Sequence, residues 1–266
     1  MRLNGKSPGV FALDDPKSLV SEAFRTLRTN LQFSSLDAPL RSLVVSSTLA
    51  AEGKTTTAAN LAVVWAQAGK RVILIDADLR RPAVHKMFGL PNRKGLTTLL
   101  VAESGPLSSH LQKTSLSTLQ LLTSGPIPPN PQELLGSQRM EDLLRVLERR
   151  ADIVILDTPP CLVVADANVL ASRTDGVLLV VDTGHTRRAA IYQAVEGLQN
   201  VNARILGAVL NMVDTRRGRG YYYYSYYAHY YQEDGRDGRP RKWPRLGRRS
   251  DRRGKRSVVK SQSAGR

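Results

Sequence analysis

A Gly-Lys-Thr sequence at residues 53–55 is the stretch whose residue types and spacing point most directly to chemistry. An apolar run at residues 43–45 precedes it and an Ala/Leu-rich segment to Ala68 follows, which predicts a buried strand, a turn and a helix. The backbone N–H groups and the dipole at the start of a helix attract phosphate groups. We therefore expect a phosphate-binding loop, in which Lys54 reaches the β- and γ-phosphates of a nucleotide and the Thr55 hydroxyl holds Mg²⁺.

The predicted loop departs from the usual glycine-rich pattern. Thr48 stands where the first glycine is usual, and Ala50 and Ala51 stand where glycine or proline is commoner. Gly-Lys-Thr by itself is also compatible with an ordinary turn between a strand and a helix. Residues outside the loop must therefore decide between the two interpretations.

Two other apolar runs end in carboxylates. Residues 73–75 lead into Asp76 and Asp78, and residues 153–156 lead into Asp157. Acids at strand ends beside a phosphate loop are placed to hold Mg²⁺, directly or through water, because this ion takes hard oxygen ligands. Asp76 and Asp157 could instead cap the helices that follow them. Two such acids in a chain with a Gly-Lys-Thr turn favour the metal site.

The elements that must position these residues alternate between strand and helix. Most predicted strands are continuous Val/Ile/Leu runs, which are typical of parallel strands covered on both faces. We expect an α/β fold with a doubly wound, mostly parallel sheet, and with the phosphate loop and both aspartate motifs at the carboxyl ends of its strands. Besides the strand at 43–45, we predict strands over residues 71–75, 118–123, 153–156, 176–182 and 205–211, and helices over residues 18–33, 138–149, 166–173 and 187–199.

Length and composition restrict the class of protein. With 266 residues, 41% of them apolar, the chain can form one α/β domain with an appendage. Its one cysteine, Cys161, excludes a disulfide framework and suits the reducing cytosol. No apolar run is long enough for a membrane span, and the start lacks the apolar block of a signal peptide. We therefore expect a cytoplasmic protein that is peripheral at the inner face of the cell membrane through a partner.

The net charge of +16 is concentrated at the C-terminal end. Thirteen Lys/Arg against two Asp give residues 235–266 a charge of +11, so the remainder of the chain carries +5. Aliphatic residues are too few beyond Thr215 to build a core, which predicts disorder there. We expect a loose lead-in over residues 1–17, a catalytic domain over 18–214, a tyrosine-rich cluster over 215–231 and a basic tail over 232–266.

The predicted helix at residues 18–33 carries Glu22, Arg25 and Arg28 at steps of three. Such steps place the three side chains on one helix face. From spacing alone, the simplest interpretation is an exposed face with an ion pair between Glu22 and Arg25.

Taken together, these motifs resemble those of the bacterial tyrosine kinases of capsule and exopolysaccharide synthesis, which are built on a P-loop ATPase fold. The resemblance covers roughly residues 18–231. The Walker A′ motif and the terminal tyrosine cluster form its specific pair, because each other motif is shared with many ATPases. The matching motifs are Walker A at residues 52–56, Walker A′ at Asp76-x-Asp78-x-Arg80, Walker B at 153–157 with Thr158-Pro159-Pro160 after it, Glu22-x-x-Arg25-x-x-Arg28, and the tyrosines of 221–231.

The resemblance implies an ATP- and Mg²⁺-dependent protein tyrosine kinase that phosphorylates its own tyrosines and regulates polysaccharide synthesis and export. Thr55 and Asp157 would hold Mg²⁺, and Asp78 would support the metal. Asp76 would lie near the incoming tyrosine hydroxyl, where it could accept the proton, and Arg80 would lie close to the transferred phosphoryl group. The residues implied to contact the nucleotide are Glu52, Gly53, Lys54, Thr55, Thr56 and Asn211. For Asn211, near the adenine in related ATPases, a plain turn role remains an alternative.

The resemblance also implies partners. Glu22, Arg25 and Arg28 would join neighbouring subunits in a ring, and a separate membrane activator protein would be needed, similar to the two-component arrangement of Gram-positive members. A cognate tyrosine phosphatase and, through the basic tail, an anionic membrane surface are further expected partners. The phosphate acceptors would be Tyr221, Tyr222, Tyr223, Tyr224, Tyr226, Tyr227, Tyr230 and Tyr231.

Two other functions are compatible with parts of the pattern. A partitioning or division-site ATPase of the same superfamily would switch on membrane or DNA, but such ATPases typically carry a second lysine where this chain has Leu49. A nucleic-acid-binding adaptor would stack tyrosines on bases and pair arginines with phosphates. Because the tyrosines and arginines are segregated here, we rank nucleic acid last among the expected partners.

Overall fold

A seven-stranded sheet lies at the centre of the computed structural model, which describes residues 9–34, 39–101 and 106–213. The strand order is β3-β4-β2-β5-β1-β6-β7. Every neighbouring pair is parallel except β3–β4, which is antiparallel. The strands are β1 (Ser42–Ser47), β2 (Val72–Asp76), β3 (Gln112–Lys113), β4 (Leu119–Leu122), β5 (Ile153–Asp157), β6 (Gly176–Asp182) and β7 (Ile205–Asn211). The predicted doubly wound, mostly parallel sheet is confirmed.

Helices cover both faces of this sheet, as the continuous apolar strands predict. In β1, Val44 belongs to one apolar core, whereas Leu43 and Val45 belong to the other, because successive side chains of a strand point to opposite faces. The helices are α1 (Phe11–Asp14), α2 (Leu19–Phe33), α3 (Lys54–Gln67), α4 (Val84–Met87), α5 (Leu96–Val101), α6 (Pro131–Leu135), α7 (Gln138–Arg150), α8 (Asp166–Ala171) and α9 (Arg188–Gln199). Helices α1 to α4 pack on one core and α5 to α9 on the other.

Two of the four longest helices, α2 and α7, begin at a serine cap. The hydroxyl of Ser18 accepts a hydrogen bond from the backbone N–H of Ser21 at the start of α2, and Ser137 serves Met140 of α7 in the same way. Helix α3 begins differently, after Gly53 with φ of +90°. A start without a side-chain cap leaves the first N–H groups of α3 available to a ligand.

The segment before α2 differs from the loose lead-in predicted for it. Val10 and Ala12 are buried, and helix α1 packs against α2 and α3. Asn60 of α3 accepts a hydrogen bond from the Ala12 N–H at 2.8 Å and donates one to the Gly9 carbonyl at 2.6 Å. These contacts hold residues 9–15 against the helix that follows the phosphate loop.

No helix in the described ranges is long and apolar enough to cross a membrane. The tyrosine cluster of residues 221–231 and the basic tail after it lie outside the described residues.

Candidate active site

The predicted phosphate loop connects β1 to α3 and has an unusual backbone. Ala51 and Gly53 both have positive φ, +66° and +90°. A Cβ atom on Gly53 would lie 2.2 Å from the Nδ2 atom of Asn211. The left-handed conformation favours glycine at position 53, and any other residue there would displace the Asn211 side chain.

Glu52 holds this loop from within. Its side chain is buried, one carboxylate oxygen accepts a hydrogen bond from the Leu49 N–H at 2.9 Å, and the other accepts one from the Thr186 hydroxyl. The Glu52 carbonyl accepts a further hydrogen bond from the Asn211 amide at 2.8 Å. In this structure the Glu52 side chain therefore stabilises the loop, and Asn211 holds its backbone. Nothing in the sequence indicated that Thr186 would contact Glu52.

Lys54 lies between two of the predicted acids. Its ammonium is 2.8 Å from the Asp78 carboxylate and 3.5 Å from that of Asp157. Burial by itself would lower the pKa of Lys54, but the charges of Asp157 and Asp78 outweigh it and raise that pKa. The Thr55 hydroxyl lies 3.3 Å from the same ammonium.

Asp76 and Asp157 lie side by side because they end neighbouring parallel strands. They are register partners in the β2–β5 pair, and both are fully buried. Burial, followed by the charge of Asp157, raises the pKa of Asp76 to about 8. Burial likewise raises the pKa of Asp157, against the opposing effect of Lys54. A nearby cation would favour the charged form of both carboxyl groups.

The alternative role of Asp76 as a helix cap is also present. One of its oxygens accepts hydrogen bonds from the N–H groups of Ala83 and Val84 at the start of α4, at 3.1 and 3.0 Å. Its other oxygen, Oδ1, has no hydrogen-bond partner among the described residues. One carboxylate therefore anchors a helix and still presents a free oxygen.

The residues present fit a divalent cation. Asp157 Oδ2 is buried and lacks a hydrogen-bond partner in the described part of the chain, which is costly unless a ligand or ion pairs with it. The donors are all oxygen atoms, the type that Mg²⁺ prefers. Within the described ranges no group of three or more His, Cys, Asp or Glu could hold a metal by itself, so phosphate oxygens would have to complete the coordination.

Arg80 is held by a partner that the sequence did not indicate. Its guanidinium binds both carboxylate oxygens of Asp166, at 2.8 and 3.0 Å. Asp166 is fully buried at the start of α8, whereas Arg80 is 40% exposed. The Arg80 side chain therefore reaches the surface, and its two bonds to the buried Asp166 carboxylate fix its orientation.

The face of α2 that carries Glu22, Arg25 and Arg28 is only partly free. Glu22 and Arg25 form the expected ion pair, and Arg25 also donates to the Pro16 carbonyl at 2.7 Å. Arg28 donates to the Val64 carbonyl at 2.9 Å, in the last turn of α3. Arg28 thus contacts its own chain, and the role of the three residues between subunits stays a prediction.

A parallel sheet whose first strand leads through a Gly-Lys-Thr loop into a helix, with acids at the ends of two adjoining strands, defines a P-loop NTPase fold. A family model described as an AAA domain matches residues 43–211. Tyrosine-protein kinase YwqD of Bacillus subtilis is 46% identical over 215 residues, covering 81% of this chain and 90% of that protein.

Two solved structures agree with this match. The kinase domain of the Escherichia coli tyrosine kinase ETK superposes with a TM-score of 0.76 and 34% identity, over 82% of this chain and 85% of that one. The chimerical protein CapA2B2 gives a TM-score of 0.74 and 38% identity, over 77% and 90%. The chain belongs to the family of bacterial tyrosine-protein kinases and is a tyrosine-protein kinase, as the resemblance of its motifs predicted. We therefore do not retain the alternative functions of a partitioning ATPase or a nucleic-acid-binding adaptor.

Proposed function

We propose that the chain transfers the γ-phosphoryl group of ATP to protein tyrosines, with Mg²⁺, at the site formed by Lys54, Asp76, Asp78 and Asp157. The observation that supports this most strongly is the meeting of the Lys54 ammonium with two carboxylates at the ends of adjoining strands. These groups provide a cation for the phosphates and oxygen ligands for a metal. Phosphoryl transfer depends mainly on such positioning and charge neutralisation.

Lys54 must exchange partners when the nucleotide binds. In the free site its ammonium neutralises Asp78 and Asp157. Bound Mg²⁺ would supply the positive charge that these carboxylates need and would neutralise charge on the phosphates. Lys54 would then be free to contact the β- and γ-phosphates, and the uncapped N–H groups at the start of α3, which include those of Thr55 and Thr56, would donate hydrogen bonds to phosphate oxygens.

Asp76 is the candidate proton acceptor. In the transfer step, the tyrosine oxygen forms a bond to the γ-phosphorus, the bond from that phosphorus to the β–γ bridging oxygen breaks, and ADP leaves. The tyrosine proton passes to the free Oδ1 of Asp76. Without metal, a pKa of about 8 keeps this carboxyl mostly protonated at neutral pH, so it would accept the tyrosine proton only when cations at the site hold it ionised. Arg80, fixed by Asp166, would be positioned to stabilise charge on the transferred group.

The C-terminal tyrosines Tyr221–Tyr231 are the proposed acceptors within the chain, presented by one subunit to the site of the next in a ring. The Glu22, Arg25 and Arg28 face is the proposed contact between those subunits. A separate membrane protein would activate the kinase at the inner face of the membrane. The similar solved structure CapA2B2 is a chimerical protein, which agrees with a kinase that works together with a second protein. Control of polysaccharide synthesis, and reversal by a cognate tyrosine phosphatase, follow from the family resemblance.

Purified protein incubated with Mg²⁺ and ATP tests the activity directly. We expect phosphotyrosine to accumulate, and to be absent in EDTA or in the Lys54→Met variant, because no other loop residue places a positive charge on the phosphates. Lys70→Met, a matched change at an exposed lysine after α3, should phosphorylate at the wild-type rate. Wild-type activity in folded Lys54→Met protein would show that the site is assigned to the wrong residues.

A further inference from the structure

We propose that Thr186, in the loop between β6 and α9, is a positioning residue for the phosphate loop and acts through the carboxylate of Glu52. The inference rests on the proposed nucleotide site and extends it to a residue 134 positions away in the chain. The Thr186 hydroxyl donates a hydrogen bond to Glu52, whose side chain is only 3% exposed. A buried carboxylate oxygen that loses its hydrogen-bond donor is costly.

The phosphate loop needs external support because its backbone is unfavourable. Ala51 has a φ of +66°, a region that residues with a Cβ atom seldom occupy, and Gly53 has +90°. Glu52 lies between them. Its bond to the Leu49 N–H closes the loop on itself, and its bond to Thr186 attaches the closed loop to a different element.

The loop that carries Thr186 is itself fixed to the sheet. Asp182, the last residue of β6, accepts hydrogen bonds from the Gly184 N–H at 2.7 Å and pairs with the His185 ring at 2.8 Å. The backbone N–H of Thr186 donates to the Asp182 carbonyl at 3.1 Å. These bonds hold the Thr186 hydroxyl in place just after the buried strand β6. Through its hydrogen bond to Glu52, Thr186 in turn holds the phosphate loop in place.

Phosphate binding by backbone N–H groups requires that these groups already point at the ligand. Without the Thr186 hydroxyl, one oxygen of the buried Glu52 carboxylate loses its donor, and the closed shape of the loop becomes less favourable. The nucleotide would then have to order the loop as it binds. Loss of Thr186 therefore weakens nucleotide binding although its side chain bonds Glu52 and not the phosphates.

Binding of Mg²⁺-ADP to the purified full chain, followed by calorimetry, measures this effect. We expect Thr186→Val to weaken binding about 10-fold, the loss of one hydrogen bond to a charged group. Thr186→Ser keeps the hydroxyl and should bind like wild type. Thr174→Val is the matched control. Thr174 lies before the opposite end of β6, away from the phosphate loop, and its hydroxyl donates to the Leu170 carbonyl of α8. In kinase assays, Thr186→Val should raise the KM for ATP more than it lowers kcat.

A second substitution separates positioning from a general effect on the loop. In a Glu52→Gln background, Thr186→Val should weaken ADP binding less than it does in the wild type, because the buried charge is gone. Wild-type affinity in folded Thr186→Val protein, or an equal loss in both backgrounds, would overturn the inference. If valine is not tolerated, Thr186→Ala is judged by the same two criteria. Failure of the wild-type chain to bind Mg²⁺-ADP would instead refute the proposed function.

Discussion

At the level of single residues, Asp76 combines a structural and a chemical role on its two oxygens. Oδ2 accepts the N–H groups of Ala83 and Val84, while Oδ1 remains free. The raised pKa of this carboxyl, about 8, means that the folded chain without metal favours the protonated form. Because folding raises this pKa, the protonated Asp76 contributes to the free energy of unfolding. That contribution is complete below the unfolded pKa of 3.8 and is lost as pH rises towards 8.

We therefore predict that metal-free wild-type protein becomes less stable between about pH 5 and about pH 8. The loss should exceed about 1 kcal/mol, which corresponds to a fall in melting temperature of roughly 2–4 °C for a domain of this size. Asp76→Asn keeps an acceptor for α4 but cannot ionise, so its melting temperature should depend less on pH. Thermal unfolding in EDTA at several pH values decides this, and parallel curves for the two proteins would contradict it.

At the level of elements, helix α3 connects the phosphate loop to the N-terminal segment. Asn60 is buried and binds the backbone of Gly9, Ala12 and Thr56 at once, and Gln67 also donates to the Ala12 carbonyl at 2.8 Å. Residues 9–15 are thus attached to the helix that starts at Lys54. A buried backbone group that loses its partner costs about 1–3 kcal/mol.

Asn60→Ala should consequently lower the free energy of unfolding by about 2 kcal/mol or more, because the Ala12 N–H and the Gly9 carbonyl both lose their side-chain partner. It should also speed tryptic cleavage at Lys17, since α1 is then less firmly held. Denaturant unfolding and timed proteolysis measure the two effects. The control is Asn200→Ala, at the exposed end of α9. Equal stability of the two variants would argue against this role of Asn60.

The same elements show what the sequence could and could not predict. Strands β1, β2 and β5 and the acids at their ends were predictable, because a buried parallel strand is a continuous apolar run whose carboxyl end lies at the ligand edge. Helix α1 and the two-residue strand β3 have too few residues for a periodic pattern. The partners of Arg80 and Glu52 lie 86 and 134 residues away, and only the folded chain shows such pairs.

At the level of the whole molecule, charge is divided between a folded part and its tail. Residues 235–266 carry +11, directly after the eight tyrosines of the cluster at 221–231. Each phosphotyrosine adds about −1.5 to −2 charges, so six or more would roughly cancel the charge of the tail. An anionic membrane attracts each basic residue near its surface by about 1 kcal/mol.

Autophosphorylation should therefore release the protein from anionic vesicles. We expect dephosphorylated protein to co-sediment with phosphatidylserine-containing liposomes at low salt, and phosphorylated protein to remain largely in the supernatant. Neutral liposomes and a chain ending at residue 234 serve as controls. Equal sedimentation of both phosphorylation states would mean that the tail only solubilises the protein.

The order of strands in the sheet has a consequence for local unfolding. Strands β2, β5 and β1, which end in the acids and the phosphate loop, are contiguous and buried on both faces, whereas β7 is an edge strand with Leu210 65% exposed. Edge strands open and exchange their amide hydrogens well before central strands do. Fraying of the end of β7 would break the hydrogen bond from Asn211 to the Glu52 carbonyl and leave Lys54 and its acids in place. Nucleotide binding should therefore slow amide hydrogen exchange most strongly at the end of β7, an edge strand that carries none of the site acids.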